Sequence, residues 1–440
     1  MVAPLTHDSP ILVFGGGGTL GSSTALHLAR RGYRNVRVLD VYPLPSAQSA
    51  GNDLNKIMGT SLRNPVDRQL SAEAEAMWAG DATFREFYHR TGRIDCSGSP
   101  EGIKGVEHEY EKLKDAGLGH TVEWLDGEDA IVRRVPQLTG CEIKGWKGIW
   151  FQEGGWLAAR KAIDSVGREL AAHGVQFSFG ESGAFQSLIL SDDRMTCLGA
   201  VAKDGTRYLA DRVVLATGAW SPALVDLEEQ CCSKAWVYAH LQLTSDEVKE
   251  YAGCPVVYNE DIGFFFEPDD HGVIKVCDEF PGFTRYKTVQ PFGAPAPTPV
   301  SVPRSHAAHP TDTYPDASEA TIRRAVSTFL PRFADRPLFN RALCWCTDTA
   351  DANLLVCEHP RWAGFVLATG DSGHSFKLLP IIGKYVVDLL EGTLQEDCSR
   401  RAAPAKDLAD MPGWNHDGDN KVVVEGAEAS GKSSTACVVG

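Results

Sequence analysis

The sequence predicts a mixed α/β (α+β) protein, in which a nucleotide-binding domain with a parallel sheet is interrupted by a second domain built on an antiparallel sheet. Three observations carry this prediction: a glycine-rich turn near the N-terminus, two later buried strands that end in glycine turns, and a run of short strands between them. Because the chain would leave the first sheet and return to it twice, both domains are expected to be discontinuous.

The N-terminal segment contains the pattern G-x-G-x-x-G at Gly16, Gly18 and Gly21. The apolar run 11–14 predicts a buried parallel strand before it, and the amphipathic run 22–31 predicts a helix after it. In this context the first glycine permits a tight turn, the second lets a pyrophosphate approach the backbone, and the third lets helix and strand pack closely. The pattern therefore predicts a dinucleotide site at a helix N-terminus.

A second predicted strand ends at Asp40, about 20 residues beyond the glycines, where this pattern places a carboxylate that accepts hydrogen bonds from the adenosine ribose. The alternative is a glycine-rich loop in a fold that binds no nucleotide. The strand, turn and helix context favours the dinucleotide site.

Two later segments, 212–220 and 364–373, read as further strands of the nucleotide-binding sheet, and the second is followed by a helix over 380–390. We predict these parts: a nucleotide-binding domain of 1–60, 150–225 and 340–395, a substrate domain of 61–149 and 226–339, a C-terminal substrate-site segment of 396–415, and a disordered tail of 416–440.

The substrate domain has three neighbouring strand signals, at 256–258, 264–267 and 273–277. The proline-rich stretch 291–315 predicts a wrapping loop with neither helix nor sheet. A helix is expected after it, from Asp316 through Leu330, with Asp316 and Glu319 as a capping pair.

Composition excludes several classes of function. The net charge of −15 without a basic cluster argues against nucleic-acid binding. The sequence has no apolar run of membrane-spanning length and no secretory signal, and its 12 cysteines are scattered, so we expect a reduced intracellular enzyme that binds no metal. The segment 426–433 matches a P-loop letter for letter, but it lacks the following helix and the parallel sheet that a working P-loop needs.

Several motifs occur in the order found in the monomeric sarcosine oxidase and amadoriase group of flavoproteins. The chain resembles the fungal fructosyl peptide oxidases and fructosyl amino acid oxidases in particular. The motifs lie at 49–56, 215–220, 275–279, 344–349 and 372–377.

This resemblance implies a Rossmann-like FAD-binding domain and the oxidative deglycation of fructosyl amino acids or fructosyl dipeptides, known as Amadori products. FAD would take a hydride from the carbon next to nitrogen, water would release the amino acid or peptide and glucosone, and oxygen would reoxidise the flavin to give hydrogen peroxide.

The resemblance also implies site residues. Cys344 matches the position that attaches FAD through a thioether, although Cys346 points to the same face of an extended strand and spacing alone does not choose between them. The expected FAD-binding residues are Gly16, Gly18, Thr19, Leu20, Gly21, Asp40, Ser49, Lys56, Gly218, Trp220, Cys344, Asp371, Gly373, Phe376 and Lys377.

Lys275 matches a lysine that assists oxygen reduction, and Lys56 matches a catalytic lysine that lies over the flavin. The expected substrate-binding residues are Glu279, Lys377, Arg400 and Arg63. Glutamate suits the substrate's ammonium and sugar hydroxyls, and arginine suits its carboxylate.

Three alternatives stay open on the sequence. The first is an oxidase of sarcosine, pipecolate or another secondary amino acid, the second a pyridine-nucleotide dehydrogenase, and the third a flavoprotein without activity. The only partners expected are the small substrate and oxygen, in a monomer of the cytoplasm or peroxisome, although the chain ends without a recognisable peroxisomal tripeptide.

Overall fold

The computed structural model describes residues 2–59, 65–394 and 421–422, with backbone alone at 65, 279–281 and 421–422. Within these ranges the helices are α1 Thr19–Arg30, α2 Pro65–Gly80, α3 Pro100–Asp115, α4 Glu128–Arg134, α5 Ala159–Ala172, α6 Ser221–Leu224, α7 Ser245–Tyr251, α8 Asp316–Phe329 and α9 Ile382–Leu390. The strands are β1 Ile11–Phe14, β2 Val36–Asp40, β3 Lys56–Met58, β4 Tyr88–His89, β5 Arg93–Ser97, β6 Val122–Asp126, β7 Lys147–Phe151, β8 Gly155–Leu157, β9 Gln176–Phe179, β10 Phe185–Leu190, β11 Cys197–Ala202, β12 Arg207–Leu209, β13 Arg212–Leu215, β14 Cys231–Gln242, β15 Val256–Asn259, β16 Gly263–Phe265, β17 Val273–Thr284, β18 Tyr286–Val289, β19 Thr298–Ser301, β20 Leu338–Thr349, β21 Leu355–Glu358, β22 Phe365–Thr369 and β23 Lys421–Val422.

A six-stranded sheet has the order β21-β22-β13-β1-β2-β9, and all neighbours except β21 and β22 run parallel. The two predicted returns of the chain are confirmed, since β13 pairs with β1 and β22 pairs with β13. The carboxyl ends of these strands lie together at one edge of the sheet, which is where open α/β sheets bind ligands.

The uninterrupted apolar run of β1 follows from burial on both faces of this sheet. Ile11 and Val13 belong to a core shared with α1, α5 and α9. Leu12 and Phe14 point the other way, into a core shared with the small sheet β10-β11-β12.

The second large sheet has the order β20-β14-β17-β16-β15-β5-β7-β6, with β23 paired to β17 off this path. Its neighbours are antiparallel except for the pairs β15/β5 and β17/β23. The three predicted strands of the substrate domain are confirmed as β15, β16 and β17, although β17 continues to Thr284. One face of this sheet packs on α4, α7 and α8. The strand β20, which carries Cys344, belongs to this sheet.

Two local predictions were wrong. The stretch 291–315 contains β19, which pairs with β18 in a separate two-stranded ribbon, where proline is tolerated because both strands are edges. The capping pair does not form, since α8 already begins at Asp316 and Pro315 occupies the N-cap. Glu319 instead accepts hydrogen bonds from the Tyr314 hydroxyl at 2.7 Å and from Arg323 Nε at 2.9 Å.

Within the described ranges, no helix combines the length and the apolar character that crossing a membrane requires. The P-loop-like segment 426–433 and, apart from β23, the predicted tail lie outside the described residues.

Candidate active site

The glycine turn between β1 and α1 is built as its sequence predicts. A side chain at Gly21 would collide with the Gly15 carbonyl group, so only glycine lets α1 approach the turn this closely. Gly16 packs in the same way against Val38 of the neighbouring strand. Gly18 is the N-cap of α1 and provides no side-chain cap, which leaves the first-turn amides directed at a ligand position.

Asp40 braces this turn from the end of β2. Its carboxylate accepts hydrogen bonds from Gly17 N–H at 3.0 Å, Ser46 Oγ at 2.6 Å and Tyr42 N–H at 3.2 Å. Burial raises the pKa of Asp40 above its ordinary value, although these hydrogen bonds act in the opposite direction. A carboxylate can accept about four hydrogen bonds, so a ribose contact is compatible with this bracing and stays a prediction.

Other predicted FAD-binding residues lie around the same turn. The Ser49 hydroxyl is 3.2 Å from the position that a Cβ of Gly18 would take. A Cβ at Gly51 would lie 3.0 Å from Thr19 Oγ1 and 3.4 Å from the Phe376 ring, so three separate segments meet here. Leu20 is buried in the core, and only its backbone can serve a ligand.

The turns after β13 and β22 complete the edge of the sheet. Gly218 has a left-handed backbone (φ +52°), and its carbonyl accepts a hydrogen bond from Thr369 Oγ1 at 3.3 Å. Trp220, in the same turn, packs on the core of the large sheet. The loop that contains Asp371 and Gly373 also approaches the large sheet, since Gly373 lies against the Trp236 indole of β14.

Asp371 joins the two sheets. Its Oδ1 accepts a hydrogen bond from Thr347 N–H of β20 at 2.8 Å, and Ser372 N–H donates to the Thr347 carbonyl at 2.9 Å. Burial raises the pKa of Asp371 to about 6 against the effect of this hydrogen bond. These contacts fix β20 beside the loop after β22, three residues from Cys344.

The structure distinguishes the two cysteines that spacing alone leaves equivalent. Cys346 is buried, and its Sγ accepts a hydrogen bond from Trp236 Nε1 at 2.9 Å and donates to the Lys234 carbonyl at 3.4 Å. Cys344 is partly exposed, with Lys56 Nζ at 3.7 Å from its Sγ. Burial raises the pKa of the Cys344 thiol above its ordinary value, although the Lys56 ammonium acts in the opposite direction. Cys344 is therefore the less buried of the two cysteines, and its thiol lies beside a cation.

A buried charge cluster connects both predicted catalytic lysines. Lys275 and Lys56 each form an ion pair with Oδ2 of Asp53, the latter at 2.8 Å. Lys275 also donates to the Asn55 carbonyl at 3.4 Å, and its ammonium lies 5.3 Å from the centre of the Tyr238 ring. Lys275 is 3% exposed and Asp53 6%, so this ion pair lies in the interior of the protein.

Lys377 contacts residues other than those of this cluster. Its Nζ is 3.5 Å from the Gly59 carbonyl, and its own carbonyl accepts a hydrogen bond from Trp78 Nε1 at 2.7 Å. Arg93 of β5 also contacts Gly59 and is paired with Asp95.

Three of the four predicted substrate-binding side chains lie outside the described residues. Arg63 and Arg400 are not described, and Glu279 is described only as a position within β17. Sequence reasoning missed Asp53 and Trp236. Asp53 lies within the 49–56 motif, but its partner Lys275 is 222 positions away, so no local pattern indicates the pair.

These residues fit a dinucleotide flavin. The uncapped helix N-terminus and the glycine contacts form a cradle that any Cβ would fill, and Cys344 presents a thiol from the neighbouring sheet.

The chain matches a known family and is similar to several known proteins. The family model described as FAD dependent oxidoreductase matches residues 12–389. L-saccharopine oxidase of Schizosaccharomyces pombe is 30% identical to this chain over 403 residues, which cover 88% of this chain and 92% of that protein.

Two solved structures are similar over nearly the whole chain. The fructosyl peptide oxidase from E. terrenum is 58% identical, with a TM-score of 0.87, and the match covers 94% of this chain and 99% of that one. The fructosyl amine:oxygen oxidoreductase Amadoriase I from Aspergillus fumigatus is 33% identical, with a TM-score of 0.83, and covers 94% and 93%.

Proposed function

The chain belongs to the FAD-dependent oxidoreductase family, and on that basis we propose that it oxidises fructosyl amino acids or fructosyl dipeptides with oxygen as the acceptor. The products are the free amino acid or peptide, glucosone and hydrogen peroxide. The 58% identity to fructosyl peptide oxidase over 94% of the chain is the observation that carries this proposal.

When bound, FAD supplies the hydride acceptor for the carbon–nitrogen bond and the donor of electrons to oxygen. The amides at the N-terminus of α1 would hold its pyrophosphate, and the Cys344 thiol would hold its isoalloxazine ring through a thioether. The accessibility of Cys344, compared with the buried and hydrogen-bonded Cys346, supports this attachment.

Lys275 provides a fixed positive charge at the place where negative charge develops on oxygen. Its burial supports this role, because a charge in a low-dielectric site acts more strongly than one in water, and its ion pair with Asp53 fixes the position of the ammonium. Lys56 orients the region around Cys344. Lys377, Glu279, Arg400 and Arg63 are proposed to bind the substrate's carboxylate, ammonium and sugar.

A specific observation favours a second candidate. The S. pombe relative is named for saccharopine, which like an Amadori compound is a secondary amine, and its match covers 88% of this chain. The sarcosine or pipecolate alternative belongs to the same reaction type.

The test is hydrogen peroxide release by the purified protein with fructosyl-valine, fructosyl-valyl-histidine, saccharopine and sarcosine offered side by side. We expect peroxide from the two glycated compounds, and their ratio measures the preference for amino acid or peptide. Peroxide from saccharopine or sarcosine alone would refute the assignment of the sugar-binding residues. Flavin that stays oxidised with all four compounds without oxygen would indicate a protein without this activity.

We further propose a monomer located in the cytoplasm or peroxisome. We also propose that the nucleotide-binding domain is discontinuous, which is supported by the six-stranded sheet, whose strands come from 11–40, 176–179, 212–215 and 355–369. The segment 340–349 of the predicted domain lies in β20 of the large sheet instead. Size-exclusion chromatography with light scattering tests the oligomeric state.

A further inference from the structure

Asp53 occupies the centre of the buried charge cluster. Its Oδ2 receives both Lys275 and Lys56, while its Oδ1 accepts the Leu54 N–H at 2.7 Å. The two lysines come from different sheets, Lys275 from β17 of the large sheet and Lys56 from the three-stranded sheet β3-β8-β4. One carboxylate oxygen therefore links two elements that no backbone pairing connects.

The charges explain why a carboxylate is required at this position. Two ammonium groups that share one oxygen are close neighbours, and like charges at short distance disfavour each other's protonated form. Burial adds to this cost, since it penalises every charged group that has no partner. Burial alone would raise the pKa of Asp53, but the two lysines hold it well below its usual range. Burial alone would lower the pKa of Lys56, but Asp53 and Cys344 raise it.

Other titratable and charged groups face the cluster from each element packed against it. They are Cys277 on β17, Tyr238 and His240 on β14, Cys344 on β20, Asp371 after β22 and Arg160 on α5. Burial lowers the pKa of His240 to about 4 and raises that of Tyr238 above its usual range, so both are neutral near pH 7. Asp53 is thus the anion in direct contact with the two ammonium groups.

We propose that Asp53 is a positioning residue of the oxidase: its carboxylate keeps Lys56 and Lys275 charged at once, the first against Cys344 and the second beside Tyr238. This inference rests on the proposed roles of the two lysines toward flavin and oxygen. It adds a third group, Asp53, which acts through them and touches neither substrate nor oxygen.

The test compares wild type with Asp53→Asn, which removes the charge and keeps the shape. The purified enzyme is reduced chemically with dithionite and mixed with oxygen, and the rate of flavin reoxidation is followed from pH 6 to 10. Because no amine substrate is used, the outcome does not depend on which substrate the enzyme oxidises. We expect a flat profile for wild type. For Asp53→Asn we expect a new ionisation, across which the rate falls by about tenfold or more as pH rises, because one of two unpaired neighbouring ammonium groups loses its proton.

Two further variants separate positioning from a general structural role. Asp53→Glu restores the carboxylate and should restore the flat profile. The double variant Asp53→Asn/Lys56→Met has a single ammonium and should lose the new ionisation. A flat profile for a folded, flavin-containing Asp53→Asn would overturn the proposal.

Thermal unfolding provides a readout that is independent of turnover and serves if Asp53→Asn accumulates poorly. The double variant keeps only one of the two ammonium groups, so no repulsion between like charges destabilises its folded state. Its melting temperature should therefore exceed that of the single variant between pH 6 and 8. A double variant that melts at or below the single variant would show that Asp53 serves packing alone, and would overturn the proposal.

Discussion

The substitution Gly21→Ala tests the physical basis of the cofactor cradle. The new Cβ would lie 2.7 Å from the Gly15 carbonyl carbon and 2.7 Å from Gly16 Cα, and closer still to the Gly15 oxygen. Ordinary contact between carbon atoms begins at about 3.5 Å, and both neighbours are backbone atoms that cannot rotate away. The start of α1 must therefore move away from the turn by about 1 Å.

This displacement has two expected consequences. Overpacking of this kind costs about 1–3 kcal/mol of folding free energy. A hydrogen bond to a charged group is worth about 1.5–3 kcal/mol, so misplacing one amide donor to the pyrophosphate should weaken FAD binding about 10- to 100-fold.

The assay is FAD affinity by fluorescence quenching in a Cys344→Ser background, since a covalent link would hide the loss. Gly32→Ala is the matched control at the other end of the same helix. Gly32 has a left-handed backbone (φ +85°) with no atom within 4 Å of a new Cβ, so alanine there adds strain without collision. We expect Gly32→Ala to lower stability by about 1 kcal/mol and leave FAD affinity unchanged. Wild-type FAD affinity in Gly21→Ala, or an equal loss in both variants, would refute the reasoning.

Three other predictions concern single side chains of the site. Denaturation should release all FAD from Cys344→Ser and none from Cys346→Ser, as measured in the filtrate after ultrafiltration; the reverse pattern would identify the other cysteine as the attachment point. The raised pKa of Lys56 means that its stabilising contribution is complete below about pH 10.5 and is lost as pH rises through the higher folded-state value. The difference in unfolding free energy between wild type and Lys56→Met should therefore shrink in strongly alkaline buffer, and a constant difference would contradict the ion pair. Asp40→Ala leaves the Ser46 hydroxyl and the glycine-turn amide without their acceptor, so we expect a loss of about 2 kcal/mol or more in chemical denaturation, which an unchanged midpoint would disprove.

The local elements of the nucleotide-binding sheet were predictable because their causes are local. The run 11–14 is apolar at every position, as a strand buried on both faces must be, and Gly21 contacts Gly15 and Gly16 of its own turn. The predicted capping pair of α8, which depended on one local signal alone, was wrong. Asp316 is a residue type that favours the N-cap, but Pro315 occupies that position and Glu319 accepts hydrogen bonds from Tyr314 and Arg323 instead.

The sequence by itself determined the dinucleotide turn, the return of two later strands to the same sheet, and the resemblance from which Lys56, Lys275 and Cys344 were inferred. Only the tertiary structure distinguished Cys344 from Cys346, because alternation along a strand puts both on one face and their difference lies in the indole of Trp236 from the next strand. Only the tertiary structure revealed the role of Asp53, since the ammonium groups that it pairs come from two different sheets. Electrostatic partners are set by distance in space, and a linear sequence records no such distance between residues that lie far apart in the chain.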